Sequence, residues 1–592
     1  MLLAEYLLEY LKKKKIRHIF LLTGGAVAFL IDKISKIKKL KGIPVIHEQS
    51  AAMMADAYSR VGPNISAAIA TTGPGATNLI TGIACSWFDS IPSLFITGQV
   101  RRDELTDFQN KAHVRQTGFQ ETDIVSIARP ITKFAYQLRN ANEIKFVMDK
   151  AIFVAQNGRP GPVLIDIPMD LQKTKINNKK LKKFLLKKNS SKKKNNYKDI
   201  NRLKILLEKS KKPAFLIGGG VRISRAFKEL NFFLNKFKIP IITTWSGFDS
   251  IAYNNPFYVG TIGVYGSRAA NLTVQNSDLL ICLGSRLDTR VVGSNSKDFA
   301  RNAKIVLIDI DNAELTSKSE KGFRINHKIN SDLKTFFLQF HKIYPRKIKL
   351  NLNRFWIESI SRWKRNYPNV KKEYYLQKKN VNPYVFFSSL SNHLKSKDTI
   401  IASTGAHITW AIQSFKIKDG QRFFSAQGHS PMGYALPASI GASFALNKKR
   451  VICIDGDGSF QLNIQELQTI KEHKLPIKIF LINNCGYGII RQFQELYLGS
   501  RFIGSSAEKG VTNPDFKKII RGYGINYNKI KKNSEINSVL KKVLRSKKSE
   551  FIEIFVDPTQ KIFPKLEYGR KLEDLSPVLP REEFFKLNDS LK

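Results

Sequence analysis

An aspartate set between two glycines, Gly456-Asp457-Gly458, is followed 27 residues later by Asn484, the second of an Asn-Asn pair. The aspartate closes one apolar run, VICIDGDG, and the asparagines close another, IKIFLINN, with a helical stretch, NIQELQTIKEHK, between them. A strand-helix-strand unit of that length returns its second strand beside the first, so a carboxylate and an amide oxygen converge at one sheet edge. Hard oxygens of this kind suit Mg²⁺, which takes one or two protein ligands and completes its octahedron with phosphates and water. Gly456 and Gly458 let backbone amides approach a phosphate, and ligands of open α/β sheets bind at the carboxyl ends of strands. The chemistry implied is the grip on a metal-bound diphosphate.

A second candidate lies far upstream, in IPVIHEQSAAMMADAYSRV. Glu48 follows an apolar run and opens an Ala/Met-rich helix, a setting that shields a carboxyl group from water. Position alone does not make it catalytic, since glutamates gather at helix starts for the dipole. Just downstream, TTGPGATN (Thr71 to Asn78) forms a Gly-Pro-Gly turn at the end of the next apolar run. Gly73, Pro74 and Asn78 are therefore candidates for a wall of the same cleft.

These residues need strands and helices to hold them, and the chain alternates the two. Short apolar runs separated by 10–15-residue helical patterns imply right-handed crossovers and parallel sheets. The expected class is α/β, with three consecutive parallel-sheet domains. The first spans 1–172, a Lys-rich linker 173–199, the second domain 200–344, a helical connector 345–382, the third domain 383–558, and a polar tail 559–592 that is a candidate lid.

Composition narrows the class further. With 98 Lys+Arg against 48 Asp+Glu the formal charge is +50, but the lysines are diffuse and crowd into connectors such as KKLKKFLLKKNSSKKK, which argues against a dedicated nucleic-acid partner. No apolar run approaches the length of a membrane span. The N-terminus, MLLAEYLLEYLKKKK, reverses the charge order of a secretory signal. The four cysteines, Cys85, Cys282, Cys453 and Cys485, lie far apart without CxxC spacing, which points to neither disulfides nor zinc. A soluble, cytoplasmic chain without nucleic-acid or membrane partners is expected.

GDG at one strand end with NN at the next is the signature of thiamine-diphosphate enzymes, and the chain resembles that superfamily here. The resemblance makes Asp457 and Asn484 metal ligands, with the Gly486 carbonyl as a third, and places Ser459 and His407 with Gly456 and Gly458 among the cofactor-binding positions. It makes Glu48, within a matching strand-HEQ-AAxMADAYSR motif, the carboxylate that favours the imino tautomer of the cofactor's aminopyrimidine, which takes the C2 proton. It also implies that the glutamate and diphosphate domains of one site come from different subunits, hence an obligate homodimer, with tetramers common.

From residue 1 to about 560 the order of motifs is similar to the catalytic subunit of acetohydroxyacid (acetolactate) synthases, through HEQSAAMMADAYSR, TTGPGATNL, GFQETDIVSIARPITK, GHSPMGYALPASIGA and GDGSFQLNIQEL. The resemblance implies pyruvate as donor, decarboxylated to a hydroxyethyl carbanion that passes to a second 2-ketoacid in branched-chain amino-acid biosynthesis. By motif, Phe119 and Gln120 line the pocket, Lys133 lies at its entrance, Arg290 meets the ketoacid carboxylate, and Met432 is the apolar wedge beneath the bent cofactor. A non-redox FAD is implied on Gly218, Gly219 and Gly220, around Gly266 and near Asp309. A small regulatory subunit remains open.

The departures cluster on the acceptor side. The stretch that usually reads RQWQ is Arg491-Gln492-Phe493-Gln494, MLGMHG becomes Thr261 to Gly266, DDR becomes Asp288-Thr289-Arg290, and VGQHQ becomes Thr404 to Ile408. The alternative reading is the same donor chemistry with another carbonyl acceptor, such as a keto-sugar in polysaccharide biosynthesis. A redox pyruvate oxidase is a third.

Overall fold

The computed structural model describes residues 1–106, 114–185, 196–320 and 322–589. Residues 186–195 of the expected linker and 590–592 of the expected tail lie outside the described residues.

Three six-stranded sheets follow one another along the chain, and every pairing within them is parallel. The first holds β1 (His18–Leu21), β2 (Lys41–Pro44), β3 (Ser66–Ala70), β4 (Ser93–Gln99), β5 (Phe134–Gln137) and β6 (Val163–Pro168), in the order β2-β1-β3-β4-β6-β5. The second holds β7 (Pro213–Ile217), β8 (Ile241–Thr243), β9 (Tyr258–Thr261), β10 (Leu279–Leu283), β11 (Lys304–Asp309) and β12 (Ile325–Asn330), in the order β12-β11-β10-β7-β8-β9. The third holds β13 (Thr399–Ala402), β14 (Arg422–Phe424), β15 (Val451–Gly456), β16 (Ile477–Asn483), β17 (Asn526–Ile530) and β18 (Glu550–Phe555), in the order β14-β13-β15-β16-β18-β17. The first and third sheets thus share one strand order. The second has the doubly wound order of dinucleotide-binding sheets, with its switch point between β7 and β10.

The central strands are continuous apolar runs because helices cover both sheet faces. Every residue of β3, β4, β7, β10, β13, β15 and β16 is buried. The helix Glu48–Val61 is buried nearly all round for the same reason, lying between the first sheet and the helix Ala435–Ala445 of the third. Small residues permit that approach: a Cβ on Gly441 would lie 2.1 Å from the Met54 carbonyl oxygen, and one on Gly82 2.3 Å from the Ala52 Cβ. First and third units consequently share one core, from Ala51 through Ile440 to Phe551.

Buried ion pairs seal the joints. Arg60 meets Asp56 at 2.7 Å and Asp89 at 2.9 Å, and the Tyr434 hydroxyl donates to Asp56 at 2.5 Å. Asp249 of the second unit takes Arg422 of the third at 2.5 Å and its own Arg222 at 3.1 Å.

The tail reads as polar in sequence but contributes to a core. Leu566, Leu572 and Leu575 pack with Trp356 and Trp363 of the helix Arg354–Asn366 on the second unit. Its backbone accepts from Arg268 and Asn271, and Glu573 pairs with Arg301 at 2.7 Å.

Candidate active site

The third sheet delivers its chemistry to one edge. β15 ends at Gly456, Asp457 opens the one-turn helix Asp457–Phe460, and β16 ends alongside at Asn483. Asp457 is 1% exposed. Its Oδ1 accepts from the Gly458 N–H at 3.0 Å, and its Oδ2 accepts from the Gly486 N–H at 3.0 Å and the Asn513 amide at 2.7 Å. The GDG and NN strand exits therefore meet, as their spacing requires. Burial pushes the Asp457 carboxyl up, and these hydrogen bonds oppose the shift.

The two asparagines divide the work. Asn483 faces β18, donating to Glu553 at 2.6 Å and accepting from Asn513 at 3.1 Å. Asn484 is buried, and its Nδ2 has no partner among the described residues. No three His, Cys, Asp or Glu gather as a metal set among the described residues. A cation at this edge would therefore draw on Asp457 with amide and backbone oxygens, the hard-ligand set that Mg²⁺ favours. Gly486 sits at φ +141°, and a Cβ there would fall 2.3 Å from the Ser505 carbonyl oxygen, so only glycine fits.

The turn is a cradle that side chains would fill. A Cβ on Gly456 would meet the His407 ring at 2.8 Å, and one on Gly458 the Tyr487 ring at 2.3 Å. Burial pushes His407 down to about 4, so it is neutral at pH 7, and its Nε2 has no partner among the described residues. Ser459 is engaged within the chain: its hydroxyl donates to Ser403 at 2.8 Å and accepts the Gly433 N–H at 2.9 Å. That bond fixes the turn next to the half-buried Met432.

The first sheet carries Glu48, 7% exposed, at the start of its helix. Glu48 Oε2 accepts from the Asn78 amide at 2.9 Å, and among the described residues the carboxylate has no ion-pair partner. Gly73, at φ +62°, starts the helix Pro74–Asn78 and lies against Gln120, itself at φ +64°. Phe119, beside it, is 84% exposed. Within one chain the Glu48 helix also reaches the segment after the Asp457 turn: Ser50 donates to Asn463 at 3.0 Å, and the Ile46 N–H to Glu466 at 3.1 Å.

At the switch point of the second sheet lies a cavity of about 960 Å³, walled by all three units. Gly219, Gly220, Arg290 and Asp309 line it, with Ser90 and Arg159 from the first unit and Arg422 and Gly428 from the third. Gly220 donates to the Gly284 carbonyl at 3.0 Å, joining the exits of β7 and β10. Arg159 bridges to Asp311 at 2.9 Å and Glu314 at 3.0 Å. Burial pushes the Asp309 carboxyl up. The Arg290 guanidinium lies over the Trp245 ring at 4.7 Å.

Three expected residues do not line this cavity themselves. Gly218 packs beneath the cavity, where a Cβ would fall 2.2 Å from the Gly284 carbonyl oxygen, and Gly266 closes a buried turn against Asn271. Lys133 donates to the Asn157 carbonyl at 2.7 Å, away from the Gly73 and Gln120 turn. Two features escaped the sequence. Asn513 sits in a turn-like TNPD stretch that announces no chemistry. Tyr568 of the tail packs on Tyr497 at 4.9 Å and Phe493 at 6.1 Å, a contact between distant segments.

Residues 1–127 match the thiamine pyrophosphate enzyme N-terminal TPP binding domain, 200–336 the central domain, and 403–554 the C-terminal TPP binding domain, which defines the class as a thiamine pyrophosphate enzyme. The acetolactate synthase large subunit of Cyanidium caldarium is 35% identical over 580 residues, 96% of this chain and 95% of that one. That of Lactococcus lactis subsp. lactis is 32% identical over 575 residues, 97% and 95% of the two chains. The acetolactate synthase isozyme 2 large subunit of Escherichia coli K12 is 30% identical over 571 residues, 96% and 97%. The chain belongs to the acetolactate synthase large-subunit family.

Proposed function

We propose that the protein joins two carbonyl substrates, releasing CO₂ from pyruvate and transferring the remaining two-carbon unit to a second 2-ketoacid, as the names of its relatives indicate. What supports this most is the meeting of the β15 and β16 exits, with Asp457 closed on Gly486 at 3.0 Å and unpartnered polar atoms on His407 and Asn484 at the same edge. Buried polar groups without partners are uncommon, and a bound ligand accounts for both. Asp457, Asn484 and the Gly486 carbonyl would hold Mg²⁺, and Gly456, Gly458, Ser459 and His407 the diphosphate, with Met432 beneath.

Thiamine diphosphate supplies the electron sink for decarboxylation. The chain's own residues bind, orient and move protons. Glu48 would offer its carboxylate to the aminopyrimidine, steadied by the Asn78 amide that donates to it at 2.9 Å. Arg290 offers a planar guanidinium to a ketoacid carboxylate. Phe119 and Gln120 would line the pocket, with Gly73 and Pro74 as its wall and Lys133 at its entrance. Phe119 at 84%, Ile503 at 75% and Leu462 at 50% are apolar side chains exposed around the two sheet edges, which supports completion by a second copy in a homodimer or tetramer.

The cavity at the second sheet fits a dinucleotide such as a non-redox FAD. Its position at a switch point, its Gly219 and Gly220 floor and the buried, unpartnered Arg222 Nε support that reading. Gly218 and Gly266 shape its turns. No helix among the described residues is long and apolar enough to cross a membrane. We place the protein in the cytoplasm, with a small regulatory subunit as a candidate partner, and keep the domain limits at 172, 200, 344, 383 and 558.

The test incubates purified protein with thiamine diphosphate, Mg²⁺, FAD and pyruvate and identifies the product. Acetolactate is expected; acetaldehyde alone, or bleaching of the flavin during turnover, overturns the reading. One alternative, the same donor with a keto-sugar acceptor, rests on the departures at Phe493 and over Thr261 to Gly266 and is tested by adding keto-sugars to the same assay.

A further inference from the structure

We infer that Gln99, the last residue of β4, is the positioning residue for the Phe119-Gln120 segment. The inference rests on the proposed 2-ketoacid site. Gln99 is 1% exposed, and its amide uses all four hydrogen-bonding positions. Nε2 donates to the Thr122 carbonyl at 2.8 Å and to Asp166 Oδ2 at 3.1 Å. Oε1 accepts from the Val100 N–H at 3.0 Å and from the Thr72 hydroxyl at 2.9 Å. The Thr72 hydroxyl also lies 3.0 Å from the Gln120 carbonyl. One buried amide thereby ties the exits of β3, β4 and β6 to the 120–122 turn.

The backbone fixes which way the amide points, because the Val100 N–H needs an oxygen and the Thr122 carbonyl needs an N–H. The NH₂ face then meets Asp166, whose Oδ1 accepts from Thr97 at 2.6 Å and whose Oδ2 accepts from Gln137 at 3.0 Å. The carbonyl face is then left for Thr72. This chain of contacts ends where the backbone is strained. Gln120 occupies the left-handed region at φ +64°, which strains a non-glycine residue and persists only when its surroundings hold it. Gly73, at φ +62°, is pressed against it, and no Cβ fits between them.

With that pair held, Phe119 projects 84% exposed as a preformed finger, and the helix that Gly73 starts presents Asn78 to Glu48 at 2.9 Å. Gln99 therefore sets where the pocket-lining turn stands relative to the carboxylate, without touching substrate. A buried, fully used side chain at this junction is a stronger candidate for positioning than a surface contact, because misplacement by about 1 Å costs on the order of a hundredfold in rate.

The test compares Gln99→Ala, Thr72→Val and Thr72→Ser as full-length proteins loaded with thiamine diphosphate and Mg²⁺, scored on pyruvate consumption. Gln99→Ala and Thr72→Val should each raise the KM for pyruvate about tenfold and lower kcat at least as much, with cofactor affinity within about threefold, and Thr72→Ser should stay within about twofold of wild type. A folded Thr72→Val with wild-type kcat and KM overturns the inference, as does Thr72→Ser failing as badly as Thr72→Val. If Gln99→Ala does not fold, the Thr72 pair decides alone. Scoring pyruvate loss keeps the test valid if the product is not acetolactate, which would sink only the proposed function. A wild-type protein that consumes no pyruvate overturns both.

Discussion

The first and third sheets have the same strand order, and both send the third strand in sequence into a Gly-X-Gly turn and a short helix: β3 into Gly73-Pro74-Gly75, β15 into Gly456-Asp457-Gly458. The acid sits in different places. In the third sheet it occupies the turn, where the Gly458 and Gly486 N–H groups and Asn513 surround it. In the first sheet the turn holds proline, and the acid, Glu48, follows β2 instead, met by one amide. On the proposed function, one scaffold would yield a charge-gripping edge and a proton-handling edge, decided by which strand exit carries the carboxylate and how many donors face it.

That contrast is open to attack at graded points. Asp457→Ala should abolish turnover together with Mg²⁺-dependent retention of the cofactor, followed by equilibrium dialysis; normal holoenzyme in that variant would remove the charge-gripping role. Glu48→Gln should cut kcat by about 10²–10⁴-fold while thiamine diphosphate still binds by fluorescence titration, since general acid-base groups contribute that much. Equal loss of binding would make the two edges alike. Asn513→Ala should weaken Mg²⁺ affinity about 10–100-fold, as loss of a partner behind a metal ligand commonly does. A Mg²⁺ titration of activity measures it.

The smallest effect concerns the seam between the two units, where His18 of β1 packs on Phe444 of the helix Ala435–Ala445 at 5.2 Å. Burial, then Lys41, Arg17 and Lys448, push His18 down to about 4 from 6.5. Below pH 6.5 the unfolded chain takes up a proton that the folded one refuses, so stability drops as pH falls through this window. Thermal melts should show His18→Gln losing less between pH 7 and pH 5 than wild type, by a few degrees.

Legibility followed burial. β7, β10, β13, β15 and β16 are continuous apolar runs, plain in sequence because both faces are covered. β17, NYNKI, is an edge strand with mostly exposed or half-exposed residues, and its run resembles a loop. Asp457 and Asn484 were legible because one crossover fixes their spacing. Asn513 and Gln99 were not, since each acts through contacts with segments distant in sequence. The tail misled for a related reason: Leu566, Leu572 and Leu575 are buried, yet polar neighbours hide any period.

That tail has a consequence for biosynthesis. The second sheet leaves the ribosome by Asn330, but Trp356 and Trp363 stay without their full cover until Leu566 to Leu575 are made. The central unit is thus the last to be sealed although it is second in line, and a transcript truncated shortly after β18 would yield a nascent chain with a permanently unfinished middle, a target for degradation.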